Sequence, residues 1–129
     1  MATHNLRQKS RKVDHPRRGD IYLVSFDPTL GAEIRKTRPA LVVQNDIGNQ
    51  HSPVTIVAAI TSKFGEPPYP TEVVMEPTES GLSLRSAVVL NQIRSVDRQR
   101  LGKRLGRAGP KTMDRVDKAI RISLGLVKI

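Results

Sequence analysis

The decisive stretch of this chain is VTIVAAIT, residues 54–61. Its β-branched side chains favour an extended strand, and a second run of this kind, ALVVQ at residues 40–44, comes shortly before it. The nine residues between the two runs are rich in Asn, Asp, Gly, Ser and Pro, which form turns. Residues 40–61 therefore predict two antiparallel strands joined as a hairpin.

The register of this hairpin decides which side chains face each other. If Gln44 pairs with Thr55, the numbers of paired residues sum to 99 along both strands. Arg38 then lies opposite Thr61 on one face, with the two Cβ atoms about 5 Å apart. A slip of one residue would send them to opposite faces. The first register brings together a permanent cation and a hydroxyl donor, and one phosphate can accept hydrogen bonds from both.

Pro39 constrains the entry to this hairpin. It favours extended geometry for Arg38 and removes a backbone N–H at the start of the strand. From geometry alone, two interpretations of Arg38 are open: an anion-binding side chain at the mouth of the hairpin, or a surface arginine packed over the edge of a barrel. Thr61 alone would be an ordinary β-branched residue at a strand end.

The rest of the chain predicts further strands and one helix. Short runs bounded by turn residues lie at 21–26, 73–75 and 87–90, and residues 93–96 continue the last of them. A basic connection follows. Behind Pro110, apolar residues recur every three or four positions, at Met113, Val116, Ile120, Leu124 and Val127. We therefore expect a mainly β domain with a C-terminal helix (α+β), in which five or six short strands form a small barrel covered by the helix.

Length and composition limit the functions that remain. A chain of 129 residues without cysteine is long enough for one domain and has no disulfide or thiolate zinc site. Residues 1–16 have only two sizeable apolar side chains, so we expect a flexible basic tail there, followed by a single domain at residues 17–129. No apolar run approaches the ~20 residues of a membrane span. The prediction is a cytoplasmic protein without a membrane segment.

The formal net charge of +10 is unevenly distributed. Residues 1–18 and 91–107 each have six Lys and Arg against one Asp, whereas residues 19–90 total −3. Basic segments of this kind favour polyanions, because each phosphate bound by Lys or Arg releases condensed counterions. An anionic membrane surface would instead require a basic amphipathic helix with aromatic anchors, and the predicted helix is mixed in charge. Nucleic acid is the predicted partner.

A colinear set of motifs runs along residues 17–129. Its members are RGDIY at 18–22, RPALVVQNDIGN at 38–49, SP at 52–53 with IT at 60–61, NQIR at 91–94, DRQRL at 97–101, and parts of the helix within 113–124. These motifs resemble those of the MazF/PemK family of toxins, which are mRNA interferases. The resemblance implies a small SH3-like barrel of the CcdB/Kid/MazF type, and a homodimer. It also implies the toxin of a type II toxin–antitoxin system, which cleaves single-stranded mRNA at short sequences without a metal or other cofactor and is neutralised by a MazE-like antitoxin.

By position, the resemblance assigns catalytic roles to Arg38, Thr61 and Glu33. Cleavage without a metal most simply uses the RNA 2′-OH as nucleophile, and leaves a 2′,3′-cyclic phosphate and a 5′-OH. Arg38 and Thr61 then supply donors that stabilise charge on the phosphorane. Arginine is a poor general base because its guanidinium stays charged, so we hypothesise that Glu33 takes the 2′ proton or orients Arg38. The alternative for Glu33 is a solvated loop charge.

The predicted RNA-binding set has six members: Arg35, Lys36, Ser62, Phe64, Gln92 and Arg94. The loop at Arg35 and Lys36 is bulkier and more basic than the family pattern of Gln and glycines, so these two side chains can hold flanking phosphates. The Gln92 amide can read a base edge. Phe64 can stack on one base, or it can anchor its loop by apolar packing. No metal site is predicted.

Two other functions are open. A toxin of the same fold that inhibits DNA gyrase by binding would need no Arg and Thr pair at the mouth of the hairpin. A simple RNA-binding barrel would need only the charge, and the pair would then be accidental. The Arg38 and Thr61 pair therefore favours the endoribonuclease over both.

Overall fold

The computed structural model describes residues 15–26 and 37–128. Within these residues, six strands form one antiparallel sheet in the order β4-β5-β3-β2-β1-β6. The strands are β1 (Asp20–Ser25), β2 (Thr37–Val42), β3 (Val54–Thr61), β4 (Glu72–Met75), β5 (Ser86–Asp97) and β6 (Leu101–Arg107). The helices are α1 (Asp46–His51), α2 (Pro77–Ser80) and α3 (Pro110–Ser123), and a 3-10 turn spans Arg98–Arg100. Because residues 1–14 lie outside the described range, the boundary of the basic tail stays a prediction.

The predicted fold class, mainly β with a C-terminal helix, is confirmed. β3 spans residues 54–61 as its β-branched run predicts, and the runs at 87–90 and 93–96 join into the single strand β5. α3 has Pro110 in its first turn, where the missing N–H of proline leaves no helix hydrogen bond unmade. Its buried face includes Val116 and Ala119, which pack against the sheet.

Two segments differ from the sequence prediction. The expected turn at 45–53 contains the helix α1, in which the Asn45 side chain caps the helix by accepting from the backbone N–H of Gly48 at 2.8 Å. The expected basic connection contains β6, whose sequence LGKRLGR has no β-branched residue. β6 is a strand because it pairs with β1. The side chains of β6 give no sign of this pairing in the sequence.

The sheet is buried on both faces. One cluster, which includes Ile21, Leu41 and Ala58, packs beneath α3. The other cluster contains Val24, Ala40, Val42, Val57 and Val96, with Tyr22, Phe26 and Leu101 packed against it. Neighbouring residues of β2 alternate between the two clusters, as the pleat of a strand requires. The strand register therefore decides which residues share a face.

The six described strands do not close into a full barrel. In the described part of the chain, β4 and β6 are the two edges of the sheet and are not hydrogen-bonded to each other. α2 follows β4 in the chain and packs on β6 at very short range: a side chain at Gly81 would overlap the Leu105 carbonyl, and Gly81 has φ 79°. The Glu79 carboxylate also accepts from the Gly109 N–H at 2.7 Å, which ties α2 to the start of α3. α2 therefore connects the edge strand β4, which it follows in the chain, with the edge strand β6, on which it packs.

Candidate active site

The predicted hairpin register is confirmed. Ala40 pairs with Ala59, Leu41 with Ala58, and Val42 with Val57, so that paired residue numbers sum to 99. Arg38 and Thr61 lie just beyond these pairs, and the same alternation places both on the face that carries the second core cluster. A one-residue slip would have separated them.

Arg38 and Thr61 line one open cleft of about 330 Å³, which we call the Thr61 cleft. Residues 60–63, at the end of β3 and in the loop after it, form its first wall. Residues 82–84 and Ser86, which lead into β5, form its second wall. Arg38 and Pro39 lie at the junction of the cleft with β2. The cleft thus brings together side chains from three separate segments.

The Thr61 hydroxyl is held in place by its own loop. Its oxygen accepts a hydrogen bond from the Lys63 backbone N–H at 3.0 Å. The Lys63 carbonyl oxygen lies 3.4 Å from the same Oγ1, a long distance for an O–H donor. The hydroxyl oxygen is therefore fixed, while its proton remains available to an anion in the cleft.

Arg38 is an exposed cation. It lies opposite Val24 of β1, and among the described residues no carboxylate forms an ion pair with its guanidinium. A guanidinium presents several N–H donors in a plane that matches two oxygens of a phosphate. Arg38 has the position and the charge of an anion-binding residue.

A second cleft of about 270 Å³ shares Arg38 with the first, and we call it the Gln92 cleft. Gln92 and Arg94 contribute to it from β5, and Phe26 from the position directly after β1. The Arg94 guanidinium carbon lies 5.1 Å from the centre of the Phe26 ring, within range of a cation–π contact. Arg38 therefore stands between two adjoining clefts.

A bulge in β5 shapes the Gln92 cleft. Ala58 pairs with Ile93, but the next residue, Ala59, pairs with Val89, so residues 90–92 are inserted without partners on β3. The bulge exposes Gln92 beside Ala59. Bulges of this kind commonly redirect side chains next to active sites. An amide with a donor and an acceptor thus faces the space beside Arg38.

The structure brings most of the predicted residues together. Arg38, Thr61 and Ser62 line the Thr61 cleft, and Gln92 and Arg94 line the Gln92 cleft. Glu33, Arg35 and Lys36 lie outside the described residues, so their roles stay predictions.

Phe64 lines neither cleft. The Arg85 guanidinium carbon lies 5.6 Å from the centre of its ring, and the geometry favours the loop-anchoring interpretation of Phe64. Hydrogen bonds raise the pKa of Arg85, with the larger contribution from Glu66 and the smaller from Glu76. The predicted contact between Phe64 and RNA stays a prediction.

Sequence reasoning missed several residues of the Thr61 cleft. Lys63 is two residues after Thr61, and its proximity along the chain was the available signal. Ser83, Leu84 and Ser86 are more than twenty residues away in sequence, and no pattern in the sequence predicts that they face Thr61.

The described lining of the two clefts contains no carboxylate and no imidazole. Residues 15–26 and 37–128 hold no group of three His, Cys, Asp or Glu side chains that could bind a metal ion.

Comparison with known proteins identifies the family. The sequence profile of the PemK-like, MazF-like toxins of type II toxin–antitoxin systems matches residues 17–124. The chain belongs to this family. The resemblance of the motifs to MazF/PemK toxins is thereby confirmed, and the fold of MazF-like toxins accounts for the strand order and the C-terminal helix described above.

Two curated relatives of this MazF-like chain are named as endoribonucleases. Endoribonuclease EndoA of Bacillus subtilis (strain 168) is 42% identical over 111 residues, which cover 86% of this chain and 96% of the relative. Endoribonuclease MazF of Staphylococcus saprophyticus is 44% identical over 110 residues, which cover 85% of this chain and 92% of the relative. These names support the predicted enzyme class and give no support to inhibition of DNA gyrase.

Solved structures of two endoribonucleases have the same architecture. An endoribonuclease from a mycobacterial species superposes with a TM-score of 0.73 at 26% identity, over 89% of this chain and 96% of that chain. A second, an endoribonuclease in complex with its cognate antitoxin from a mycobacterial species, has a TM-score of 0.70 at 27% identity, over 88% and 99% of the two chains.

None of the helices in the described residues is long and apolar enough to cross a membrane.

Proposed function

We propose that this protein is the toxin of a type II toxin–antitoxin pair and a sequence-specific endoribonuclease that cuts single-stranded RNA without a metal. The observation that carries the proposal is the confirmed register, which places Arg38 and Thr61 on one face at a shared cleft. Membership of the MazF-like family and the names of the two curated relatives support the same reaction class.

The proposed reaction uses the RNA 2′-OH as its nucleophile. The 2′-oxygen attacks the adjacent phosphorus, the bond to the 5′-oxygen breaks, and the products are a 2′,3′-cyclic phosphate and a 5′-OH. Arg38 balances the negative charge that develops on the non-bridging oxygens, and the Thr61 hydroxyl donates to one of them. A donor in a fixed position of this kind contributes about 3 kcal/mol to the stability of the transition state.

A proton must leave the 2′-oxygen, and another must reach the departing 5′-oxygen. The described lining of the clefts offers no carboxylate for the first task. We assign the first task to Glu33, which precedes β2 by four residues and is therefore close along the chain to Arg38. A Glu33→Gln variant that keeps the wild-type rate and pH profile would remove Glu33 from the mechanism.

The two clefts provide separate environments for the nucleotides on either side of the bond that is cut. The Gln92 amide can distinguish base edges because it offers both a donor and an acceptor. Ser62 and Arg94 add a hydroxyl and a cation to the two clefts. Arg35 and Lys36 are proposed to hold flanking phosphates, while for Phe64 the contact with Arg85 favours loop anchoring over stacking on a base.

We also propose that the protein acts in the cytoplasm as a homodimer and is inhibited by a cognate MazE-like antitoxin. Support for the antitoxin comes from the family and from the mycobacterial relative whose structure includes its cognate antitoxin. Light scattering at micromolar concentration tests the dimer, because a monomeric mass would contradict it. Suppression of cleavage by a co-expressed neighbouring gene product tests the antitoxin.

A single assay tests the reaction. The purified protein is incubated with a long unstructured RNA in EDTA, and the ends of the fragments are analysed. We expect cleavage at a short recurring sequence, with cyclic or 3′-phosphate ends and 5′-OH ends. An oligonucleotide with one 2′-deoxy sugar on the 5′ side of the cut bond should stay intact, because it lacks the nucleophile. Intact RNA would contradict the enzyme, and 5′-phosphate ends would contradict the 2′-OH mechanism.

A further inference from the structure

Arg85 joins the two walls of the Thr61 cleft from behind. Its side chain does not line the cleft, although its neighbours Ser83, Leu84 and Ser86 do. Its Nη1 lies 2.6 Å from Glu66 Oε2, and its guanidinium carbon lies 5.6 Å from the centre of the Phe64 ring. Phe64 and Glu66 lie in the loop that continues from residues 60–63 of the first wall, so Arg85 connects that loop to the second wall.

A third contact fixes the position of Arg85 itself. Its Nε lies 2.9 Å from Glu76 Oε2, and Glu76 is the residue that precedes α2. The guanidinium therefore connects the loop after β3, the start of α2 and the segment before β5. The Arg85 side chain is 49% exposed and the two carboxylates about as exposed, so either ion pair alone would hold the walls weakly. Two carboxylates and an aromatic ring on one planar group define its orientation more strongly than either pair.

The wall that carries Arg85 is anchored to the core at its two ends. Leu82 packs against the core and its N–H donates to the Ser80 hydroxyl at 3.0 Å, while Ser86 is buried at the start of β5. Between these ends, residues 83–85 are exposed. Within this stretch the Leu84 carbonyl accepts a hydrogen bond from the Ser86 hydroxyl at 2.9 Å, and among the described residues Arg85 makes the ion pairs that join the stretch to other segments. Arg85 therefore links the stretch that contains Ser83 and Leu84 to the loop after Thr61.

We propose that Arg85 is a positioning residue that sets the width of the Thr61 cleft, and through it the choice of the nucleotide bound beside the phosphate that is cut. The inference rests on the proposed ribonuclease function. Arg85 itself does not contact RNA; it acts through the wall that Ser83 and Leu84 form. A wider cleft accepts bases that the wild-type cleft excludes. Loss of Arg85 should therefore reduce the discrimination between RNA sequences more than the rate of the chemical step.

The test compares Arg85→Met, Arg85→Lys and Arg121→Met. Methionine keeps an apolar stem and removes all three contacts, whereas lysine keeps the charge but cannot engage two carboxylates with a planar fork. Arg121 is exposed on α3 and lines neither cleft, so Arg121→Met is a control for the loss of one positive charge. Circular dichroism and thermal unfolding establish that each variant is folded.

The first readout does not depend on activity. Hydrogen–deuterium exchange should rise severalfold in peptides that cover residues 62–68 and 82–86 of Arg85→Met, and should stay unchanged in β3 and α3. Arg85→Lys should be intermediate, and Arg121→Met should match wild type in both loops. Unchanged exchange in Arg85→Met would show that Arg85 does not join the walls and would overturn the proposal.

The second readout is the ratio of kcat/KM between the preferred RNA site and sites with one base changed. For Arg85→Met we expect this ratio to fall about tenfold, with a partial return in Arg85→Lys. An equal loss on all sites, or a loss matched by Arg121→Met, would overturn the specificity role. A wild-type protein that cuts no RNA would overturn the proposed function and with it the specificity role, while the exchange result would still decide whether Arg85 joins the walls.

Discussion

Arginine side chains stand at both ends of β1 and its neighbouring strands, but their surroundings differ. At one end, Asp20 is 2% exposed, and its Oδ1 accepts from Arg107 at 2.8 Å and from Arg104 at 3.2 Å. We call this the anchored end. At the other end, Arg38 lies opposite Val24, is exposed, and has no carboxylate partner among the described residues. We call this the open end.

The anchored end holds the architecture together. Arg18 donates its backbone N–H to Asp46 at 2.7 Å, its Nε to the Val43 carbonyl at 2.9 Å, and its Nη2 to Asp117 at 2.7 Å. These contacts tie β1 to α1, to the end of β2 and to α3. The RGD motif at residues 18–20 is therefore structural, although its charged residues would suit a binding site equally well in the sequence.

The contrast between the ends shows what makes an arginine available for function. A cation that is paired with a buried carboxylate is already neutralised and oriented, so it contributes to stability. A cation without such a partner keeps its donors for a phosphate. The following substitutions test that distinction.

Replacing Arg38 should have the largest effect. In Arg38→Ala we expect the single-turnover cleavage rate to fall about 10³-fold, because the charge on the phosphorane loses its principal counterion. Arg38→Lys should recover part of the rate, since it restores the charge without the planar fork. Urea unfolding should match wild type because the side chain is exposed and forms no ion pair within residues 15–26 and 37–128. A rate for Arg38→Ala within tenfold of wild type would contradict the assignment of the open end.

Replacing Asp20 should lower the stability of the fold and leave the cleavage rate unchanged, the reverse of the effect expected for Arg38. In Asp20→Asn we expect the free energy of unfolding in urea to fall by about 3 kcal/mol, because two arginines lose their shared buried carboxylate. The cleavage rate per folded molecule should stay close to that of wild type. Asp114→Asn, an exposed position on α3, is the matched control and should change stability by less than about 0.5 kcal/mol. Equal stability of the Asp20 and Asp114 variants would disprove the anchoring role.

At the open end, Thr61→Val removes a hydroxyl while keeping the shape of the side chain. We expect the single-turnover rate to fall about 100-fold, because one donor to the phosphorane is lost. Thr61→Ser should retain most of the rate, since it keeps the hydroxyl. Urea unfolding of Thr61→Val measures the separate effect of losing the acceptor for the Lys63 N–H. If Thr61→Ser were as slow as Thr61→Val, the methyl group rather than the hydroxyl would be the important feature.

The smallest expected effect is the pH dependence of stability that the Asp46 carboxylate contributes at the anchored end. Burial raises the pKa of Asp46, but hydrogen bonds from the Arg18 N–H and from Asn49 outweigh it and hold the pKa below its ordinary value of 3.8. A lowered folded-state pKa contributes stability above the unfolded value, and that stability is lost as the pH falls through the folded pKa. The stability difference between wild type and Asp46→Asn should therefore be constant near neutrality and shrink below about pH 4.

The experiment is urea unfolding from pH 7 to pH 3, with Asp114→Asn as the reference variant. A difference between wild type and Asp46→Asn that grows as the pH falls would show that the sign of the pKa shift is wrong.

Much of the open end could be predicted from the sequence because its geometry is local. The hairpin register follows from two β-branched runs and the length of the segment between them, and it brings Arg38 and Thr61 to one face. Gln92 and Arg94 could be assigned only through the resemblance to MazF-like toxins. The bulge at residues 90–92 changes the register of β5, and no pattern in the sequence of β5 predicts this bulge.

The residue pattern was sufficient for the central hairpin, the C-terminal helix and the face shared by Arg38 and Thr61, because strand alternation and helical spacing act over a few neighbouring residues. It was insufficient for β6, for the fit of α2 against β6 and for the second wall of the Thr61 cleft. A basic, glycine-containing segment becomes a strand only when β1 supplies its hydrogen-bond partners. Likewise, residues 82–86 meet Thr61 only when the whole sheet has curled, since contacts across long sequence separations depend on packing that no local pattern encodes.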